Sequence, residues 1–269
     1  TLSSSSAASD VYKRQVSIIM NCYNGEKYLK QSIETILSQT YQNWELIFWD
    51  NLSTDNSKII LKNFNDKRIK YFSSNSFLTL YEARNMAIKF STGKYISFLD
   101  TDDYWVKDKL YKQINFLEKN KLCKITYSNF MVKNELKGKE YILNESLPSG
   151  KITRELLKSY LIGILTVCME RDIFKTSIFN KRYNIIGDLD FFINLSKNYN
   201  IECINEPLAF YRIHSNNYSK KKIRTYINEL STWIKENELQ YNNEGFTLTR
   251  LKFFLIKLKI KLFLQYLGV

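Results

Sequence analysis

The chain has 269 residues, 44% hydrophobic and 15% aromatic, with only two Pro and eight Gly. That is enough apolar material for one large α/β domain with an appendage, or two small domains, and it argues against long disordered linkers. A net charge of +13 suits polyanionic partners without specifying one, and the four scattered cysteines form no C-x-x-C pair, which disfavours cysteine-bound zinc.

Thr1 to Gln15 start without Met and are rich in Ser and Ala. No apolar stretch follows that could form a signal-peptide core, so residues 1–15 are read as a tag or disordered remnant. From Val16 the pattern alternates between strand and helix. Val16–Cys22 reads as a buried strand bounded by Asn24-Gly25. Leu29, Ile33, Ile36 and Leu37 then fall on one helical face. Trp44–Trp49 is the second strand, ending at Asp50-Asn51, with Ser53, Thr54 or Asp55 available to cap a helix around Ile59 and Ile60. A short strand, Ile69–Phe72, precedes a helix burying Leu80, Ala83, Ala87 and Phe90. A strand ending at Asp100, a helix aligning Leu110, Ile114 and Leu117, and a strand at Cys123–Tyr127 complete the repeating part. β-α units of this length imply a mostly parallel sheet with helices on both faces.

Beyond Lys133 the pattern weakens. Residues 134–150 read as a loop or antiparallel ribbon, Arg154–Leu161 and Asp188–Lys197 as helices, and Ile164–Met169 as an apolar run. Ile201–Tyr211, which contains Pro207, reads as an irregular edge strand. The thiols Cys22, Cys123, Cys168 and Cys203 read as reduced, in a cytosolic setting. No run of 18 apolar residues occurs, so no membrane-spanning helix is expected.

The most informative feature is Asp100-Thr101-Asp102-Asp103, directly after the apolar run Tyr95–Leu99. Three carboxylates in four residues repel one another, and a divalent cation holding a diphosphate would offset that repulsion. Asp-rich capping of a helix beginning near Val106 is the alternative. In an open α/β sheet the carboxyl ends of the strands are where ligands bind. There Asn21, Tyr23 and Asn24 join Asp50, Asn51 and the Asp cluster. Tyr23 is placed to stack on a base, or is an ordinary strand-end aromatic. Asp50 and Asn51 could accept from a uracil ring or ribose, or serve Asx turns.

Taken in order, Val16–Asn24, Leu37-Ser38-Gln39-Thr40-Tyr41, Trp49–Asp55, Ala83-Arg84-Asn85 and Gly93–Asp103 resemble family 2 glycosyltransferases over roughly Val16 to Ser219. The resemblance implies a GT-A fold, a nucleotide-diphospho-sugar donor, a divalent metal (Mn²⁺ or Mg²⁺) and inversion at the anomeric carbon. By resemblance, Asn21, Tyr23 and Asn51 line a nucleobase pocket with Asp50 beside them, and Asn24 and Glu26 belong to the same donor site. Arg84 supports the nucleotide, Asp100 lies near ribose and metal, and Asp102 ligates the metal with Asp103 sharing that role. Gly187-Asp188-Leu189-Asp190 is similar to the family's acidic motif at the start of a late helix, which makes Asp188 the general base. A plain helix cap is the other reading of Asp188. Tyr211-Arg212-Ile213-His214 resembles a further family element, giving His214, the only histidine, to the metal or diphosphate and Arg212 to phosphate. Two departures stand out. Gly187 occupies a position usually held by Glu, and Leu52 one usually held by Gly, where a side chain crowds a tight turn. UDP is favoured as the nucleotide.

Residues 219–269 carry ten basic and four acidic side chains. On a helical wheel Leu251, Phe254, Leu255, Leu258 and Leu262 form one face, and Phe253, Ile256, Ile260, Phe263 and Leu267 the opposite one, with lysines on the flanks. One face would pack on the catalytic domain or a second subunit, and the other would rest on an anionic membrane. A docked terminal helix with solvated lysines is the alternative, and the alternation at 257–262 also permits a strand.

The organisation expected is therefore a GT-A domain at 16–218 and a helical extension at 219–269, peripheral on the inner face of the cytoplasmic membrane. The donor would be a nucleotide-sugar and the acceptor a glycan or lipid-linked glycan of bacterial surface polysaccharide synthesis. Three competitors are weighed against it. A nucleic-acid-binding protein shows no familiar motif here, and none is expected. A sugar-phosphate nucleotidyltransferase needs a Gly- and Arg-bearing loop that Asn24-Gly25-Glu26-Lys27 does not supply. A catalytically weak relative serving as a binding module is made conceivable by Gly187 and Leu52.

Overall fold

The computed structural model describes residues 14–266. Of the segment expected to lie outside the fold, Arg14 and Gln15 belong to it: Gln15 O accepts from Tyr95 N at 3.0 Å and Arg14 O from Tyr41 Oη at 2.8 Å. Residues 1–13 lie outside the described part.

In chain order the first half consists of β1 (Val16–Cys22), α1 (Glu26–Leu37), β2 (Trp44–Asp50), α2 (Ser57–Lys62), β3 (Ile69–Ser73), α3 (Leu80–Lys89) and β4 (Tyr95–Phe98). It continues with β5 (Tyr104–Trp105), α4 (Lys109–Lys119), β6 (Ile125–Asn134), β7 (Lys139–Ile142) and α5 (Thr153–Lys158). The last part holds β8 (Cys168–Glu170), α6 (Gly187–Asn198), β9 (Ile201–Ile213), α7 (Tyr218–Lys221), α8 (Ile223–Asn243) and α9 (Thr249–Tyr266). Among the described residues nine strands form one sheet in the order β3-β2-β1-β4-β8-β6-β9-β5, with β7 paired to β6.

The first four strands are parallel. β2 is buried along its whole length, as an apolar strand covered on both faces should be. Period-two alternation sorts the side chains into two cores. Ile18, Met20, Leu46 and Phe48 face α1 and α4, whereas Ile19, Ile47, Ile96 and Phe98 face the side of α3, α6, α8 and α9. Helix α1 buries Leu29, Ile33 and Ile36 at helical spacing. Helix α3 opens on Thr79, whose Oγ1 accepts from Glu82 N at 3.3 Å.

The order 3-2-1-4 reverses direction between β1 and β4. The carboxyl ends of β1, β2 and β4 therefore meet at a topological switch point, where α/β sheets bind ligands.

The second half is mixed where a mostly parallel sheet was expected. β8 runs antiparallel to β4 and β6, while β6 and β9 are parallel. Residues 134–150 form the ribbon alternative, β7 pairing antiparallel with β6. Strand β9 is not at the edge: Tyr104↔Phe210 and Trp105↔Ala209 place β5 outside it. Pro207 sits where the β6–β9 register shifts, so its missing donor falls at an irregularity rather than at a free edge. The same β5 displaces the start of the following helix from Val106 to Lys109. The N-cap of α2 is Asn56, which makes no side-chain cap bond, rather than Ser53, Thr54 or Asp55; Asp55, one residue before it, accepts from Ser57 N through Oδ1 at 3.0 Å.

Helix α9 settles the helix-or-strand alternative in favour of a helix. Leu251 and Leu255 are buried, and Leu258 and Leu262 pack on the same core. Phe254 meets Tyr226 edge-on at 6.0 Å. Phe253, Ile256, Ile260 and Phe263 are exposed on the far side, and Leu267 lies outside the described residues. No helix among the described residues is long and apolar enough to cross a membrane. All four cysteines are free, three of them buried.

Candidate functional site

A cavity of about 600 Å³ opens at the carboxyl ends of β1, β2 and β4. Asn21, Tyr23, Asn51, Arg84 and residues 100–103 line it together with Asp188 and residues 160–165.

Asn21 is the most telling side chain among them. Both its amide oxygen and nitrogen are buried with no hydrogen-bond partner among the described residues, which costs about 1–3 kcal/mol per group unless a ligand supplies the bonds. Tyr23, half-exposed at the mouth, meets Phe77 edge-on at 4.8 Å. Asn51 is spoken for: its Nδ2 donates to Leu78 O at 2.9 Å and its Oδ1 accepts from Leu78 N at 3.1 Å, which fixes the loop carrying Phe77.

The remaining strand-end residues are brought together, but not into the cavity lining. Asn24, with φ at +54°, accepts from Thr54 N through Oδ1 at 2.8 Å. Glu26 Oε2 accepts from Asn56 N at 2.9 Å, and Asp55 Oδ2 from Glu26 N at 2.9 Å. Asp50 Oδ1 accepts from Ser53 N at 2.8 Å, the turn alternative weighed above, and its Oδ2 accepts from Tyr71 Oη at 2.9 Å. These groups lace the β1–α1 turn to the β2–α2 turn. Leu52, within that second turn, takes a left-handed φ of +65°, the crowding expected where Gly is absent.

The acidic loop divides into two pairs. Asp100 accepts from Arg84 Nη2 at 2.6 Å. Burial works against the Arg84 charge, but Asp100 and Tyr81 outweigh it and raise its pKa. Asp102 Oδ2 lies 2.9 Å from His214 Nε2. His214 Nδ1 accepts from Asn216 N at 3.1 Å, so the tautomer this network assigns carries its proton on Nε2 and donates to Asp102. In that state the imidazole has no lone pair free for a cation, unlike the metal-ligand role expected of it.

Asp103 is buried, with Oδ1 accepting from Arg212 N at 2.8 Å. Burial first, then the charges of Asp102 and Asp100, push its carboxyl well above the usual range. Arg212, expected to grip phosphate, is not among the lining residues. Its Nε donates to Asp102 O at 2.8 Å, Nη1 to Glu135 at 2.6 Å and Nη2 to Gln31 at 2.5 Å. A guanidinium so engaged has no fork left for a diphosphate. Ser32 Oγ, bonded to Thr101 O and Asp103 O, completes the buttress.

Among the described residues no three His, Cys, Asp or Glu side chains form a metal cage. Mg²⁺ and Mn²⁺ at nucleotide sites need none, since one or two carboxylates combine with phosphate oxygens and water. Asp102, one-third exposed at the cavity, meets that donor set, with Asp100 of similar exposure beside it.

Asp188 occupies the first turn of α6 and faces the same cavity. Its Oδ1 accepts from Tyr81 Oη at 3.1 Å and from Leu189 N at 2.9 Å. Burial raises its pKa, only partly opposed by Arg84, so the carboxylate is a stronger base than a solvated one. Gly187 admits the Tyr81 ring: a Cβ there would lie 2.4 Å from Tyr81 Cδ2.

Sequence reasoning missed Tyr81, Phe77 and Tyr160. Tyr81 was within reach, because it stands three residues before Arg84 on one helix face. Tyr160 lies in an irregular segment with no periodic signal.

The model of the family described as Glycosyl transferase family 2 matches residues 17–182, and the chain belongs to that family. Its sheet, switch point and C-terminal helices are those of a GT-A fold. Among curated relatives, it is 35% identical over 214 residues to the UDP-Glc:alpha-D-GlcNAc-diphosphoundecaprenol beta-1,3-glucosyltransferase WfgD of Escherichia coli, covering 78% of this chain and 81% of that one. It is 31% identical to the putative teichuronic acid biosynthesis glycosyltransferase TuaG of Bacillus subtilis, covering 85% and 90%. Among solved structures, S. aureus TarS 1-349 in complex with UDP aligns with a TM-score of 0.63 at 18% identity, over 80% of this chain and 65% of that one. The mannosyltransferase PcManGT of Pyrobaculum calidifontis, in complex with GDP-Man and Mn²⁺, aligns with a TM-score of 0.61 at 15% identity, over 83% and 65%. The chain thus spans just under two-thirds of these solved chains.

Proposed function

We propose that this glycosyltransferase moves a sugar from a UDP-sugar to an acceptor hydroxyl with inversion, in the assembly of a lipid-linked bacterial surface glycan. The observation that carries the reading is that Asp102 and Asp188 line one cavity together with Asn21, whose amide is unpartnered among the described residues. Asn21 and Tyr23 would receive the base, with Asn51 holding the Leu78 loop beside them, and Arg84 with Asp100 the ribose–diphosphate region. Asp102 would hold a divalent cation, which when bound neutralises charge on the departing diphosphate. His214, Asp103 and Arg212 are positioning residues for Asp102, and Asn24, Glu26 and Asp50 for the two turns beneath the base.

Asp188 accepts the acceptor hydroxyl proton as that oxygen bonds to the anomeric carbon and the carbon–diphosphate bond breaks. Its raised pKa strengthens that base, and the Tyr81 hydroxyl fixes its orientation.

Residues 16–218 are the catalytic unit in this reading, and 219–269 an extension that meets the inner face of the cytoplasmic membrane. Two things support the membrane contact. Relatives carry a diphosphoundecaprenol acceptor in their names. Helix α9 has five basic and no acidic residues flanking its exposed apolar stripe, the make-up of an interfacial helix on anionic lipid.

The test is thermal shift with nucleotide-sugars and Mn²⁺, followed by donor turnover in wild type and Asp188→Asn. UDP-sugars should raise Tm only with metal, and the variant should bind but not turn over. Equal turnover by both proteins, or no shift with any nucleotide-sugar, would sink the reading and favour a binding module.

A further inference from the structure

One wall of the cavity has no role in the reading above. After α5 the chain leaves the helix at Ser159, whose φ of −156° and ψ of 121° are extended. It then runs along the cavity through Tyr160, Leu161, Ile162 and Gly163. This wall is apolar except for one group. The phenol oxygen of Tyr160 is buried and has no hydrogen-bond partner among the described residues. Its neighbour Tyr81 shows what a fold-serving tyrosine does here: its hydroxyl bonds both Ile185 O at 3.0 Å and Asp188 Oδ1 at 3.1 Å. A buried hydroxyl without a partner destabilises the free protein, and Phe would fill the same space without that cost. Because Tyr160 lines the cavity, a ligand held there is the partner available to its hydroxyl.

Its surroundings say which ligand. Burial first and the charge of Asp188 second raise the Tyr160 pKa well above the ordinary phenol value. The proton stays on, and the group is a donor beside the carboxylate that faces the acceptor. In the proposed reading the polar contact for the donor's base is Asn21, whose amide is likewise unpartnered among the described residues.

We propose that Tyr160 is an acceptor-binding residue: its hydroxyl donates to an oxygen of the acceptor sugar next to the hydroxyl that Asp188 deprotonates. The apolar wall of Leu161 and Ile162 would cover the C–H face of that ring. This rests on the glycosyltransfer reading and adds to it a specificity determinant for the acceptor.

Tyr160→Phe tests it, with UDP-glucose and Mn²⁺ and a panel of octyl glycosides and GlcNAc-diphospholipid as acceptors. The acceptor KM should rise about 10-fold, the equivalent of one hydrogen bond. The affinity for UDP and the donor hydrolysis rate without acceptor should stay within twofold of wild type. The Tm of the unliganded variant should match or exceed wild type, because an unbonded polar group has been removed. An unchanged acceptor KM overturns the proposal. So does a lowered Tm together with lost UDP binding, which would mean that the hydroxyl serves the fold. Wild type that transfers to no member of the panel and hydrolyses no donor overturns the glycosyltransfer reading itself, and this proposal with it.

Discussion

Gly187→Ala is the sharpest perturbation of the base site. The added Cβ would sit 2.4 Å from Tyr81 Cδ2 and 2.6 Å from both Cε2 and Cγ. Unstrained carbon contacts are about 3.5–4.0 Å, so the ring must retreat by roughly 1 Å. It has little room. Tyr81 is buried and packs on Phe179 at a centroid distance of 5.5 Å, and Phe179 packs in turn on Phe98 and Phe191. Overpacking of this kind costs about 1–3 kcal/mol. Loss of the two Tyr81 hydroxyl bonds adds about 0.5–1.5 kcal/mol each, for a total of about 2–6 kcal/mol. In a Tyr81→Ala background the same substitution should be neutral, or favourable by up to about 1 kcal/mol, because Ala is the better helix former. Urea denaturation of the four proteins closes the cycle, and a coupling of at least about 2 kcal/mol is expected. Turnover should fall with stability in the single variant, since Asp188 loses its orienting bond. If Gly187→Ala lies within about 0.5 kcal/mol of wild type in both backgrounds, Tyr81 does not fill that space and its support of Asp188 goes too. The same overlap explains why this chain lacks the Glu expected before Asp188: the Tyr81 ring fills the room its side chain would need.

Three other outcomes follow from the same geometry. Asp188→Asn should cut turnover by about 10²–10⁴-fold yet raise the urea midpoint at pH 7. A carboxyl whose folded pKa lies above its unfolded value favours folding at low pH and loses that contribution as pH rises; in wild type, turnover should fall as pH drops through the raised pKa. Lys109 is fully buried on Gln113 and the Trp105 ring, and burial pulls its pKa down to about 7. The unfolded chain binds that proton up to about pH 10.4, so stability should climb between pH 7 and 10; Lys109→Met should flatten the climb and stabilise the protein by about 1–3 kcal/mol at pH 7, read by urea midpoints. Leu52→Gly should be neutral or stabilising by up to about 1 kcal/mol, because relief of about 1–2 kcal/mol of left-handed strain exceeds the added chain entropy, whereas Leu52→Val should destabilise.

The parallel half of the fold was legible because a buried parallel strand is a continuous apolar run and its covering helix repeats at 3.6 residues. Val16–Cys22, Trp44–Asp50 and Leu110, Ile114 and Leu117 carry those signals plainly. The mixed half was not. The two residues of β5 hold no periodicity, and β9 takes its interior place from a partner 104 to 106 residues away. Gln15 was set aside with the Ser-rich leader because one carbonyl in a ladder leaves no mark in composition. Helix α9 could be read as two opposed apolar faces, but only packing shows that the Leu251–Leu255 face is the covered one.

Within the site, residue type and strand-end position picked out residues that the structure brings to one cavity and its adjoining turns, without telling which of them are free to bind. Asp50, Asn24, Glu26 and Arg212 share the chemistry of ligand-binding groups, yet each spends its hydrogen bonds on a neighbouring loop. Asn21 and Tyr160 end in buried polar atoms that no group among the described residues satisfies. The difference is energetic. A satisfied side chain must break a bond to take a ligand, so it gains little, whereas an unsatisfied one recovers its desolvation cost only when the ligand arrives. The satisfied set therefore makes the frame that holds Asp102 and the base-side turns. In the reading proposed above, the unsatisfied pair would be where the substrates make new bonds, nucleobase at Asn21 and acceptor at Tyr160, in the cavity that Asp102 and Asp188 also line.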